Sequence, residues 1–278
     1  MCPGTRFAEI RRFAELDSTN RYLLDEAQAG GADSLVAVAD HQTAGRGRLG
    51  RRWEAPAGAN LLVSVLLRPA LALEELHLCS LCMALAAVTA CAETTGVAAT
   101  LKWPNDLLVG EKKLAGILAE SVPDAPGPAG SAPAGSAPAG SGPTGGRAVV
   151  VGLGVNVGWP APENEAGADP PSDDLGEVTS LWRESGRLIE AGALLSALLA
   201  DLERRLEDLG RADGRRRLVS EYRSRCATLG REVMVTLPGE EVIGSVLDIT
   251  VEGHLLVDIG ACIRTITAGD VVHLRAPS

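Results

Sequence analysis

Gly45-Arg46-Gly47-Arg48-Leu49-Gly50-Arg51-Arg52, followed by Trp53, is the most informative stretch of this 278-residue chain. Four of those eight positions are arginine, although the chain as a whole carries a net charge of −10. Three glycines make the backbone permissive and let it approach a ligand closely. Arg46, Arg48 and Arg51 can present planar forks to carboxylate or phosphate oxygens. Keeping such a loop ordered is costly, so it is expected to order on an anionic ligand; the alternative is a solvated basic loop.

Outward from this loop the chain reads as alternating helices and strands. Ser18 or Thr19 can cap a helix over 18–29, where Leu23, Leu24 and Ala27 recur at helical spacing. Residues 34–40 and 60–68 read as strands, and 74–95 as a long, mostly buried helix. Residues 98–120 read as a strand, a hairpin across Gly110-Glu111-Lys112 and a second strand. Residues 123–146 repeat Pro-Ala-Gly-Ser and lack large apolar side chains, which predicts a disordered insertion at a hairpin tip between strands 113–120 and 147–157. Amphipathic helices are expected over 187–209 and 213–226. After Gly230, short strands at 232–237, 242–249, 255–258 and 262–267 are separated by Pro238-Gly239 and Glu252-Gly253, as in a small barrel. The expected division is a catalytic body over 1–228 and a small β domain over 229–278.

Composition narrows the function. A hydrophobic content of 46% and a charged content of 22% suit a soluble globular protein. The acidic balance argues against non-specific nucleic-acid binding, which needs a basic surface. No 18-residue apolar run is free of polar breaks and no leader pattern is present, so a cytoplasmic protein without membrane contact is expected. Cys79 and Cys82 sit in a Leu/Ala-rich helical stretch with no second pair at zinc-site spacing, and are read as buried structural thiols.

Three further motifs can carry chemistry. In Leu101-Lys102-Trp103-Pro104-Asn105-Asp106, a lysine in an apolar strand either meets an anion or snorkels outward. Asn105 and Asp106 follow a proline that stops strand pairing, so they either serve a phosphate and Mg²⁺ or simply turn the chain. Gly152-Leu153-Gly154-Val155-Asn156-Val157-Gly158 fails the dinucleotide-binding spacing, since the third glycine falls one residue late. Its glycines are expected to mark close approach of another group. Asp17-Ser18-Thr19-Asn20 offers donors and acceptors to a compact polar ring, or merely caps a helix. No Walker loop is present.

Taken together, these segments resemble the biotin–protein ligases in content and order. The resemblance runs over 16–158, through Gln42-Thr43-Ala44-Gly45-Arg46-Gly47-Arg48, Gly58-Ala59-Asn60-Leu61, the Lys102–Asp106 motif, Lys113-Leu114-Ala115-Gly116-Ile117-Leu118 and Gly152–Asn156. It implies an α+β fold: a mixed sheet flanked by helices, class II synthetase-like, with a small C-terminal SH3-like β-barrel. It also implies two steps: biotin and ATP form biotinyl-5′-AMP in the presence of Mg²⁺, and biotin then passes to a lysine of a carboxylase's biotin carboxyl-carrier domain.

By the same resemblance, Ser18, Thr19, Asn20 and Gln42 would hold the ureido ring, and Gly45, Arg46, Gly47 and Gly116 would border biotin. Lys102 would sit between the biotin carboxylate and the α-phosphate, with Arg48 stabilising the adenylate. Trp53, Arg51, Asn105, Lys113 and Asn156 would face the nucleotide, with Asp106 toward the metal. Only 16 residues precede Asp17, so ligase activity without DNA-binding repression is expected, and a homodimer is allowed. The lipoate–protein ligase reading lacks that family's Arg-Arg-x-Ser-Gly-Gly-Gly signature. A biotin-responsive regulator without turnover and a partner-binding scaffold are the non-enzyme readings.

Overall fold

The computed structural model describes residues 5–123, 147–162, 177–211 and 213–274, which build two sheets and five helices. The larger sheet comprises β1 (Ile10–Leu16), β2 (Val36–Gln42), β3 (Leu61–Leu67), β4 (Thr100–Lys102), β5 (Asp106–Val109), β6 (Lys112–Pro123) and β7 (Arg147–Val155). Its order is β1-β2-β3-β7-β6-β5-β4; only β1 and β2 run parallel, so the sheet is mixed. The helices are α1 (Thr19–Gln28), α2 (Leu78–Thr95), α3 (Leu181–Ser185), α4 (Ala191–Leu209) and α5 (Gly214–Ser224). Apart from Pro123, the expected insertion at 123–146 lies outside the described residues.

Every residue of β3, Leu-Leu-Val-Ser-Val-Leu-Leu, is buried, because helices cover both faces of the sheet. Strand alternation sends Val63, Val65, Val149, Val151 and Leu153 toward α2 and the main core. Leu66, Ala148 and Val150 face the other way, against Leu23, Leu24 and Ala27 of α1. This second face changes character along its length. Beyond Leu66 and Val150 it carries Ser64 opposite Gly152, and Gly154 opposite Gly116. Small residues there leave open the space that larger ones fill under α1.

Within the long apolar segment Leu73–Thr95 most residues of α2 are buried, so it is a core helix packed between the sheet and α4. Gly96 ends it in the left-handed region at φ 77°, where its N–H bonds Ala92 O. Cys79, Cys82 and Cys91 are buried on this helix, and burial pushes the Cys79 and Cys91 thiols up to about 12. They are inert packing groups, whereas Cys262 is exposed.

The second sheet is antiparallel, in the order β11-β10-β9-β8-β12. Its strands are β8 (Glu232–Leu237), β9 (Glu240–Ile249), β10 (Leu255–Asp258), β11 (Ile263–Ile266) and β12 (Asp270–His273). Four match the strands expected after Gly230, and β12 is additional. The connection from α5 pairs with the larger sheet: Leu101 N–H bonds Arg225 O, and Ala227 N–H bonds Leu101 O. The small sheet also grips the turn after β4. Trp103, 3% exposed, donates its indole N–H to Gly253 O at 3.1 Å and its backbone N–H to Thr228 Oγ1 at 3.0 Å.

His273 Nε2 lies 3.0 Å from the same Thr228 hydroxyl. Burial first, then Lys102 and Arg231, pushes the His273 imidazole down to about 4. Its folded value lies below the ordinary value of about 6.5, so its stabilising contribution is complete above that pH and is lost as pH falls toward 4. Thermal melts across this window are expected to show a falling Tm, with a shallower slope for His273→Gln. An equal slope in both proteins would remove His273 from the account.

Candidate active site

The small-residue end of the α1-facing sheet surface opens into a cleft with about 1030 Å³ of free space, its mouth included. One end is formed by the start of α1. Ser18 caps that helix, its Oγ accepting from Arg21 N–H at 3.4 Å. Gln42 Oε1 accepts from both the N–H (2.8 Å) and the hydroxyl (3.1 Å) of Thr19. Ser64 Oγ donates to Asn20 Oδ1 at 2.6 Å, and the Asn20 amide donates to Leu118 O and to Glu120. Thus Thr19, Asn20 and Gln42 line the cleft as a hydrogen-bonded set joined through Ser64, with Ser18 beside them as the cap of α1. Ser64 and Glu120 complete it, and nothing in the sequence pattern marked them.

The Gly/Arg loop forms the lid of the cleft. Arg46 pairs with Arg52 as an antiparallel bridge, Gly47 N–H bonds Arg51 O at 2.7 Å, and Trp53 N–H bonds Gly45 O at 3.0 Å. A Cβ at Gly45 would lie 2.2 Å from Trp53 O, so only glycine permits this closure. The loop therefore holds itself together by backbone bonds, and its tip presents Leu49, 70% exposed. Its arginines have partners: Arg46 pairs with Glu120 at 2.9 Å, Arg48 donates to Asn105 Oδ1 at 3.1 Å, and Arg51 reaches Asp270 at 2.7 Å. Asp270 belongs to β12, so the small sheet supplies a carboxylate to this loop.

The floor is glycine. Trp53 lies on Gly116 and Gly154: added Cβ atoms would come within 3.1 and 2.5 Å of its ring. At Gly152 an added Cβ would meet Asn20 Oδ1 at 2.1 Å. The close approach expected of this motif is therefore by Asn20 and Trp53. Among the described residues, Trp53 Nε1 is buried with no hydrogen-bond partner. Asn156 lines the wall, its amide already held by Asn60 and by Thr179 O. Trp159 and Val178 also line the cleft and were not anticipated, although Trp159 is one of only four tryptophans.

The lysines are placed differently from expectation. Lys113 lines the cleft, its Nζ 2.8 Å from Asp106 and 5.8 Å from the Trp53 ring centre. Lys102 and Asp106 are not among the lining residues. Lys102 ends the three-residue edge strand β4, in register with Asp106. Burial pulls its ammonium below the usual lysine range, helped by Lys113 and Arg51 and opposed by Asp106 and Asp270. The physical reason lies in register. A bulge between Leu107 and Leu108 sets Lys113 opposite Leu108, from which it reaches toward Gly116 and the cleft. Lys102, paired in register with Asp106, lies within the electrostatic reach of Asp270 and His273 of β12. Gly45, likewise outside the lining, acts through loop closure.

Arg46, Arg48, Arg51, Asn105 and Lys113 thus gather cations and an amide over a polar pocket at one end and an indole on a glycine floor at the other. Burial lowers Arg48's very high pKa and leaves it charged. Such a cleft can bring two anions together. No cluster of three His, Cys, Asp or Glu that could hold a metal ion occurs among the described residues, and Asp106, beside Asn105, is ion-paired with Lys113.

The Biotin/lipoate A/B protein ligase family matches residues 13–135, and the Biotin protein ligase C terminal domain matches residues 228–274. The biotin–[acetyl-CoA-carboxylase] ligase of Mycobacterium tuberculosis is 35% identical over 278 residues, covering 98% of this chain and 91% of that protein. The enzyme of the same name from Paracoccus denitrificans is 35% identical over 269 residues, covering 93% and 98%. Among solved structures, a biotin protein ligase from Aquifex aeolicus in complex with biotin and ATP superposes with a TM-score of 0.75 at 25% identity, covering 97% of this chain and 100% of that one. Identity extending through the catalytic sheet and on into the small one, rather than stopping at a shared motif, shows that the chain belongs to the biotin protein ligase family.

Proposed function

We propose that this chain is an ATP-dependent biotin–protein ligase that works in the cytoplasm, forming biotinyl-5′-AMP and passing biotin to one lysine of a carboxylase's biotin carboxyl-carrier domain. The observation that carries this reading is the single cleft in which a hydrogen-bonded polar pocket, converging cations and an indole floor adjoin. The proposed division of labour assigns catalysis to residues 1–228, with 229–278 as the C-terminal domain.

In the first step a carboxylate oxygen of biotin attacks the α-phosphorus of ATP and pyrophosphate leaves. Both reactants are anionic, so positive charge must already stand where they meet. Lys113 is placed for this, held by Asp106 on the cleft floor. It takes over the role expected of Lys102, which is not among the residues that line the cleft. Ser18, Thr19, Asn20 and Gln42 hold the ureido ring, with Arg46, Gly47 and Gly116 bordering biotin. Arg48 and Arg51 face the phosphates, and Trp53, Asn105 and Asn156 the nucleotide. Asp106 with Asn105 would hold Mg²⁺, which would neutralise phosphate charge. The closed loop keeps water from the mixed anhydride until the carrier lysine attacks its carbonyl and releases AMP.

ATP–pyrophosphate exchange that requires biotin tests the reading, and exchange without biotin, or none from folded protein, contradicts it. Arg48→Gly removes the bond from the lid to Asn105, so the adenylate is expected to escape. Labelling of lysines on an unrelated protein should then rise by about tenfold or more, the order set by loss of one charged hydrogen bond. Unchanged carrier specificity in that variant would show that Arg48 does not retain the intermediate.

A further inference from the structure

Glu120 puts a carboxylate on a sheet face that is apolar on one side of it. On β6 it stands in register with Val150, which packs with Leu23 and Leu24 of α1. Two residues back on the same face, Leu118 lines the cleft. A charge at such a boundary is costly unless it is paired, and Glu120, with its side chain 23% exposed, is paired twice. Its oxygens grip the Arg46 guanidinium as a fork, Oε1 at 2.9 Å and Oε2 at 3.2 Å. The same Oε2 accepts from the Asn20 amide at 3.0 Å. Asn20 also donates to Leu118 O at 3.1 Å, while its Oδ1 takes the Ser64 hydroxyl. One carboxylate therefore joins the lid at Arg46 to the start of α1 at Asn20, across 74 and 100 positions of sequence.

Resting on the ligase reading above, we propose that Glu120 is a positioning residue of the biotin site, tying the lid to the ureido pocket through Arg46 and Asn20. A bidentate fork fixes direction as well as distance, so Glu120 holds the Arg46 side chain down beside the pocket. It neutralises that guanidinium in place, which leaves Arg48 and Arg51 as the lid's cations toward phosphate. It also orients the Asn20 amide on β6, so that the lid and the pocket share one anchor. For the lid to lift, the fork must open, and the bound biotin is released at the rate at which it does so.

The lid carries its own reporters, because trypsin cuts after arginine and Arg48, Arg51 and Arg52 lie in it. The test compares the full chain with Glu120→Gln, Arg46→Gln and the double variant. Lid scission without ligand is mapped by mass, and release of labelled biotin is followed after an unlabelled chase. Cutting at Arg215, Arg216 and Arg217 of α5 reports general unfolding. Glu120→Gln keeps an acceptor for Asn20 but loses the charge. It is expected to raise lid scission and biotin release by about three- to tenfold, the order for one half-exposed bidentate pair, with α5 cutting unchanged. Arg46→Gln should match it, and the double variant should add nothing, because each substitution removes the same pair. Unchanged lid scission in either single variant overturns the proposal, as do multiplied effects in the double variant or an equal rise at α5. Arg46 is 44% exposed, so its variant decides the matter even where Glu120→Gln does not fold. A folded wild-type chain that binds no biotin, with lid scission responding as expected, would count against the ligase reading alone.

Discussion

Lys113→Ala is expected to lower biotin-dependent pyrophosphate exchange by on the order of 10²–10³-fold, the range for removing one preorganised charge from a developing transition state. Lys102→Ala is expected to lower it much less. The difference follows from placement. Lys113 stands in the cleft 2.8 Å from Asp106, where burial strengthens each charge it meets. Lys102 is not among the residues that line the cleft. The loss for Lys113→Ala should appear in kcat of adenylate formation more than in biotin affinity, since the hydrogen-bonded set of Thr19, Asn20 and Gln42, proposed to hold the ureido ring, does not include it. Steady-state exchange and biotin titration of the two variants check this. Equal losses, or a larger loss for Lys102→Ala, would restore the role first expected of Lys102.

Gly154→Ala should weaken ATP binding by on the order of 10–100-fold, corresponding to the roughly 1–3 kcal/mol cost of forcing a methyl into a packed site. A Cβ there would stand 2.5 Å from the Trp53 ring, well inside contact distance, so the indole must move off its floor. Biotin binding should change little, because Gly152, not Gly154, lies against Asn20. Calorimetric titration with a non-hydrolysable ATP analogue and with biotin separates the two effects. Intact nucleotide affinity in a folded Gly154→Ala protein would show that Trp53 does not form the nucleotide floor.

Much of the architecture was legible because it rests on local pattern. β8 and β10 fall where Val- and Leu-bearing runs end at turn residues, and α2 where apolar residues run without interruption. β1 escaped notice because Ile-Arg-Arg-Phe-Ala-Glu-Leu is an edge strand with most side chains half or fully exposed, which weakens its alternation. β12 is four residues long and takes its place only by pairing with β8. The site was legible in its motifs but not in its register. Both Lys102 and Lys113 lie on strands of similar pattern, and a bulge in β5–β6 pairing decides which reaches the cleft. The bond from Arg51 to Asp270 and the grip of Gly253 on Trp103 join residues 219 and 150 positions apart, beyond any local signal. The glycines of Gly152-Leu153-Gly154 announced a close approach, and only the fold names Asn20 and Trp53 as what approaches.

The small sheet's part in the site follows from those same two bonds. It holds Trp103, and with it the turn carrying Asn105 and Asp106, while Asp270 steadies the lid through Arg51. The geometry of the cleft is therefore shared between both sheets, and damage to the C-terminal one is expected to register in the ATP half-reaction before it registers in biotin binding.

The most direct test of the central claim is a single incubation of the chain with labelled biotin, Mg-ATP and a biotin carboxyl-carrier domain, followed by peptide mapping of the carrier. Pyrophosphate and AMP released in step with label on one carrier lysine is the predicted result. Pyrophosphate release without carrier label, or label scattered over many carrier lysines, would contradict it.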